Sequence, residues 1–537
     1  MKRKLLTALF CGALMLTALA GCGQGADDQS GANGASADGE NIARDELVFV
    51  NYRDIRDLNP HLYAGEMYAQ SILYDTLVSN TSEGYVGCLA KDWTISEDGR
   101  IYTFNIRDGV TFSDGTPCDA NAILANFNAI LENRERHTWL EMMNLLVSVS
   151  APDDDTFVIE MSEPYYPMLT ELACIRPFAM ISPNCMIDGS TKDGVNGYIG
   201  TGPYVLTDFV TDEYAVFERN ENYWGEKPTI QKITVKVIPD NQTRIMALEN
   251  GEIDLIFGKN MLDADAISQY VDSDKFTVGL SDPTSTRHIV LNTTHDILGD
   301  KAVRQALQHA TNRQAISEGI FYGLEPAADT LYSTTVPYCD VALEPYAYDT
   351  DEAARLLDEA GWIMGSDGIR AKDGQKLALD LLYNSDSVTE KTISEYLQSE
   401  YLKLGISLNI HGEEEQSYRD NMKAGNFDMV FNICWGMPYD PQSSLAAMRA
   451  PVYGDYAAQQ GLEDKAEIDQ AITDILTSTD EAERQELYTF VLTRLHEDAV
   501  YIPLTFETNK ALYTSDLKGV HFGTDQYDVD FASMYFE

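Results

Sequence analysis

Apolar and polar residues alternate from Arg100 to Arg107, where Tyr102, Phe104 and Ile106 are separated by Thr103 and Asn105. They alternate again from Lys232 to Val237, through Ile233, Val235 and Val237. A period of two predicts a strand at each place, with one face turned to a core. Elsewhere the period lengthens. After Pro117 and Asp119, the residues Ile123, Phe127, Ile130 and Leu131 share one face of a helix that runs out near Asn133, and Val303, Leu307 and Ala310 form a second stripe. Ala353 to Ala360 reads as a helix ended by Gly361. Glu390 to Leu404 reads as another, ended by Gly405 and followed by alternating Ile406, Leu408 and Ile410. Helices and strands interleave throughout, which predicts mixed α/β lobes rather than a sandwich or a bundle. No repeat of fixed period is present.

The amino terminus departs from this texture. Lys2, Arg3 and Lys4 precede an apolar run from Leu5 to Leu19, and Leu19-Ala20-Gly21-Cys22 follows the pattern of a bacterial lipoprotein signal. Residues 1–21 are expected to be removed and Cys22 acylated, leaving an exported body held at the outer face of a membrane. A membrane span would need about 20 apolar residues and a different flank. Residues 22–44, rich in Gly, Ala, Ser and Asp, read as a flexible tether. The globular remainder is longer than one typical domain, so at least two cores are expected.

Charge narrows the partners. With 38 basic and 86 acidic residues the formal charge is -48, which favours solubility and opposes nucleic acid. A site for a carboxylate must then concentrate arginines locally. Cysteines at 88, 118, 174, 185, 339 and 434 form no Cys-x-x-Cys pair and read as buried thiols rather than a zinc or iron–sulfur site.

Signatures of catalysis are missing: there is no Gly-x-Ser-x-Gly, His-Glu-x-x-His or Walker-type loop, and Gly197 to Gly202 reads as a turn entering a strand. An enzyme, and with it a catalytic cofactor, is not expected. Three other stretches carry candidate chemistry. Asn133 to Trp139 (Asn-Arg-Glu-Arg-His-Thr-Trp) puts cations and an indole at a helix end, suited to a carboxylate or a stacked ligand, or simply to the helix dipole. Ile175-Arg176-Pro177-Phe178 sets an arginine among apolar residues, where it needs an acidic partner or ligand. Cys434 to Pro441 is a rigid aromatic loop or a core cap.

Together with Leu58-Asn59-Pro60-His61-Leu62-Tyr63, Gly200-Thr201-Gly202-Pro203, Arg219 to Pro228, Met448-Arg449 and Gln459-Gln460-Gly461, these strings resemble the extracytoplasmic solute-binding proteins of ABC importers, in the family that carries dipeptides, oligopeptides and nickel. The resemblance spans about Leu47 to Phe522 and is greatest to nickel-binding members. It implies a two-lobed α/β fold of the periplasmic-binding-protein type II kind, with lobe I from residues 45–282 and 507–537, lobe II from 283–506, and crossovers near Asp282 and Phe506. It implies a monomer that captures a nickel chelate and delivers it to the permease, the metal arriving wrapped in histidine or a multicarboxylate. Arg136 and Arg176 match arginines that hold chelator carboxylates, Trp139, Trp435 and Tyr439 match aromatic walls, and Tyr63 and Met67 match the floor.

One position departs from the family pattern. Counting along Met448-Arg449-Ala450-Pro451-Val452-Tyr453 puts Tyr453 where a histidine coordinates the metal, and a phenol with a pKa near 10 is a poor nickel ligand beside neutral imidazole. Two readings stay open: the chelator supplies every ligand, or the preference has moved to another chelated metal or an opine-like metallophore. The competing function on the same scaffold is di- or oligopeptide binding, which calls for an acidic residue at the peptide amino group and backbone hydrogen bonding along the ligand.

Overall fold

Lys232–Val237 forms a strand with those bounds, and its inward residues Ile233 and Val235 are buried. The structure, a computed structural model, describes residues 44–81, 84–258, 261–434, 441–523 and 529–537. The lipoprotein signal, Cys22 and the tether up to Ala43 lie outside the described residues, as do Trp435 and Tyr439.

The strand belongs to a ten-stranded sheet whose order is Tyr204–Val210, Tyr214–Arg219, Lys232–Val237, Glu46–Asn51, Leu255–Phe257, Tyr501–Thr514, Phe276–Leu291, Met429–Cys434, Ala378–Asn384 and Ser407–Glu413. One end therefore comes from the first half of the chain and the other from residues 378–434. The two long strands between them pair antiparallel, with Thr286 opposite Phe506 and register shifts around Pro283 and at Arg287/His288. Such irregularities bend and twist a ladder locally.

The central strands of the second end are covered on both faces, and Met429–Cys434 accordingly opens with three consecutive buried apolar residues, Met429, Val430 and Phe431. Ile289, Leu291, Met429, Phe431, Ile502 and Leu504 pack under helices Lys301–Ala310, Thr350–Glu359 and Val388–Lys403. Val290, Val430 and Val500 pack on the opposite side with helices Lys465–Thr477 and Glu481–Glu497. Two helices begin earlier than their apolar stripes. Asp349 accepts from the Asp351 and Glu352 amides and Ser387 from that of Glu390, so polar caps set these starts.

A separate antiparallel sheet, Ala90–Ile95, Ile101–Ile106, Thr156–Met161 and Leu146–Asp153, packs against helix Ala120–Glu132. Asp119 caps that helix by accepting from the Ala122 amide at 2.9 Å, and Ile123, Phe127 and Ile130 are buried as their spacing requires. The six cysteines among the described residues are buried free thiols. No described helix is long and apolar enough to cross a membrane.

The Gly-Thr-Gly-Pro string is scaffold. The Gly202 amide donates to the Leu73 carbonyl at 3.0 Å, and a Cβ at Gly200 would overlap the Leu73 oxygen and the Tyr74 ring. Thr201 and Trp224 donate to the same Asp75 carboxylate oxygen at 2.8 and 2.9 Å, tying the string to the Asn-Tyr-Trp segment. Gly200→Ala is expected to cost about 1–3 kcal/mol of stability, read as a lower urea midpoint with an unchanged slope.

A second tie joins the two halves of the chain. The Tyr166 amide donates to the Leu476 carbonyl at 3.1 Å, its hydroxyl donates to Glu481 at 2.7 Å and meets the Tyr338 hydroxyl at 2.9 Å, and the Arg484 guanidinium lies 3.4 Å from the centre of its ring.

Candidate functional site

The chain leaving strand Glu46–Asn51 runs for fifteen residues, several of them buried, before helix Met67–Leu73 begins, and this segment forms one wall of a cavity of about 770 Å³. Tyr63, Met67 and Arg176 line it together, as do Arg53, Arg56 and Arg244. Among the described residues the only carboxylate in that lining is Glu66. Four guanidinium groups against one acid give the cavity a positive interior within a strongly negative chain, and converging guanidiniums favour bidentate anions such as carboxylates.

Each arginine is held differently. Arg176 donates through Nε to Gln70 Oε1 at 2.5 Å, and through its terminal nitrogens to the carbonyls of Tyr63, at 3.5 Å, and Gly65. These three contacts orient the group. Gln70 is buried and anchored by its own donation to the Asn59 carbonyl at 3.2 Å. Arg53 pairs with Glu66 at 2.5 Å. Arg244 is buried and spends its donors on the carbonyls of Ile238, Pro239 and Met261, at 2.7–3.1 Å; burial lowers its pKa.

Tyr63 links this wall to the Asn133–Trp139 string. Its ring lies 5.9 Å from the Arg136 guanidinium, and its hydroxyl accepts from Trp139 Nε1 at 2.7 Å and meets His137 Nδ1 at 2.6 Å. Burial pushes the phenol up to about 12, so it stays protonated. Arg136 and Trp139 are exposed, whereas His137 is fully buried, and burial with Arg136 beside it lowers its pKa to about 4. The Leu58-Asn59-Pro60-His61 string sits beneath as support: Asn59 donates to the Thr191 carbonyl at 2.8 Å, and His61 bonds Thr191 Oγ1 at 3.0 Å and the Ala179 carbonyl at 3.2 Å.

The structure thus brings Tyr63, Met67 and Arg176 onto one cavity, with Arg136 and Trp139 attached through Tyr63. Tyr453 is not in that lining. It precedes the short helix Gly454–Ala458, half-buried, with burial raising its pKa while Arg419 opposes the shift. Among the described residues no three His, Cys, Asp or Glu side chains converge as a metal site.

Sequence reasoning missed Arg53, Arg56, Arg244, Gln70 and His137. Arg53 and Arg56 sit in a mixed-charge run with Asp54 and Asp57 that reads as a solvated surface. The fold sets both on the cavity rim while leaving Arg56 exposed and Arg53 half-buried.

A neighbouring cavity of about 590 Å³ shares Gly258 with the first and differs in charge. There Arg287 pairs with Glu507 and lies 3.7 Å from Glu325, and Lys510 pairs with Glu325 at 3.1 Å. Among the described residues its lining sets Asp263, Asp265, Glu325 and Glu507 against Arg287 and Lys510, so the first cavity has the more positive lining.

The profile of the bacterial extracellular solute-binding proteins, family 5, matches residues 84–455. The chain is 41% identical over 497 residues to the nickel-binding periplasmic protein of Escherichia coli strain K12, covering 92% of this chain and 95% of that protein. A crystal structure of NikA from Brucella suis in complex with Fe(III)-EDTA superposes with a TM-score of 0.88 at 43% identity, covering 92% of this chain and all of that one. The dipeptide-binding protein of E. coli K12 is more distant, at 26% identity over 506 residues, covering 88% of this chain and 91% of that protein.

Proposed function

The chain belongs to the family 5 bacterial extracellular solute-binding proteins, and on that premise we propose that it captures a chelated transition metal, nickel held by a small carboxylate or histidine-type chelator, and hands it to an ABC permease. The observation that carries this reading is the cavity lined by four arginines and one carboxylate. A bare divalent cation would be repelled there, whereas a metal wrapped in carboxylate arms presents anionic edges that guanidiniums grip. The similarity to a protein crystallised with Fe(III)-EDTA, itself a multicarboxylate chelate, supports the same ligand class.

The body acts as a monomer tethered through acylated Cys22. Residues 45–282 with 507–537 form one lobe and residues 283–506 the other, hinged on the paired strands Phe276–Leu291 and Tyr501–Thr514. Ligand contacts with both lobes shift the population towards the closed form, which docks on the permease. No bond of the ligand is made or broken.

Calorimetry on the soluble body tests this with nickel–histidine, Fe(III)-EDTA and a dipeptide pool. Heat from at least one chelate and none from the peptides is expected; the reverse pattern would establish the peptide-binding alternative. If lobe closure brings the Tyr453 loop to the metal, Tyr453→His should tighten nickel–histidine binding about tenfold by supplying an imidazole ligand, and an unchanged Kd would place this loop away from the metal.

A further inference from the structure

We infer that His137 is a positioning residue of this site, its Nδ1 accepting a hydrogen bond from the Tyr63 hydroxyl and so fixing the Tyr63 ring that lines the cavity. The inference rests on the chelate-binding reading for its effect on affinity, but not for its geometry. Trp139 Nε1 is an N–H and can only donate, so the 2.7 Å contact makes the Tyr63 oxygen an acceptor. The same oxygen lies 2.6 Å from His137 Nδ1. With that nitrogen unprotonated, the Tyr63 proton points at it, and the indole, phenol and imidazole form one directed chain.

The chain sets what the wall can offer a ligand. The Trp139 N–H is spent on Tyr63 and the Tyr63 proton on His137, so neither group donates into the cavity. Of the three, Tyr63 lines the cavity, and its ring is held edge-on to the Trp139 indole at 6.2 Å and 5.9 Å from the Arg136 guanidinium. Carboxylate arms are then left to the arginines, and the aromatics select for the compact apolar surface of a chelate.

His137 itself gains little from its position. It is fully buried, and among the described residues its Nε2 has no hydrogen-bond partner. A buried ring nitrogen without a partner carries a desolvation cost that an apolar side chain of similar size would avoid. The half of the imidazole that is satisfied is the half that holds Tyr63. Charged or titratable neighbours leave it neutral: Arg136 disfavours a second positive charge, and burial acts in the same direction.

Two substitutions separate positioning from mere packing. His137→Leu removes the acceptor; His137→Asn keeps an oxygen close to the place of Nδ1. In the ligand-free protein, the Trp139 indole N–H resonance, assigned through Trp139→Phe, should move towards its solvent position in His137→Leu and stay near wild type in His137→Asn. The Kd for nickel–L-histidine should rise about tenfold in His137→Leu and less than threefold in His137→Asn. An unmoved indole resonance in His137→Leu, equal impairment of the two variants, or a moved resonance with unchanged affinity would each overturn the inference. If wild type binds no chelate, the proposed function fails by itself and the indole resonance alone decides the role of His137.

Discussion

Arg176→Ala should raise the Kd for a carboxylate chelate about 100-fold, about 2.8 kcal/mol, while the body stays folded. The size follows from what the group does. Its fork is held by Gln70 Oε1 and two main-chain carbonyls, so the guanidinium is pre-oriented and little freedom is lost when a ligand docks. A charge-assisted bond to an anion contributes about 1.5–3 kcal/mol, and the positive cavity strengthens it. Arg136→Ala should cost less, about tenfold, because that side chain is exposed and water screens it. Arg176→Lys separates charge from shape. An ammonium keeps the attraction but loses the planar fork, so a loss nearer to that of alanine would mark bidentate recognition. Isothermal titration with nickel–histidine and Fe(III)-EDTA measures all three, and unchanged affinity in both alanine variants would remove the arginine grip.

Local patterns carried much of the architecture. Strand Ile101–Ile106, strand Lys232–Val237 and helix Ala120–Glu132 follow from period and capping alone. The sixteen-residue strand Phe276–Leu291 did not, because Ser281-Asp282-Pro283-Thr284 reads as a turn. Pro283 is tolerated there since it falls where the register shifts, a place that needs no regular ladder donor. The same contrast holds for the site. Arg176 stood out because its sequence neighbours are apolar, and Arg136 and Trp139 because they share one short string. Arg244 gave no signal: its burial depends on three carbonyls of the segments flanking its helix, which converge only in the fold. The strings Gly-Thr-Gly-Pro and Asn-Tyr-Trp were legible as family marks, yet they meet at Asp75 as structural ties. A string shared across a whole family can thus mark the scaffold, while the ligand is read by residues gathered from separate segments.

Arg484→Ala should be the most destabilising single change away from the cavity, costing about 3–5 kcal/mol. Arg484 is fully buried, donates to the Ile475 carbonyl and to Gln442 Oε1 at 3.2 Å, and lies against three tyrosine rings, with Tyr166 at 3.4 Å and Tyr338 at 5.0 Å from the guanidinium. Glu481, which accepts from both Tyr166 and Tyr338, balances its charge through those hydroxyls. Truncation removes the cation from the aromatic stack, opens a cavity and leaves the buried acceptors without their donor. Urea unfolding should show a lower midpoint. Because Tyr166 comes from the first half of the chain and Arg484 from the second, the loss should not be confined to the C-terminal helices. Tyr166→Ala should therefore also be destabilising, by about 2–4 kcal/mol, and the double variant should cost less than the sum, since both changes break one contact. Strict additivity of the two would show that the stacked pair contributes nothing to holding the halves together.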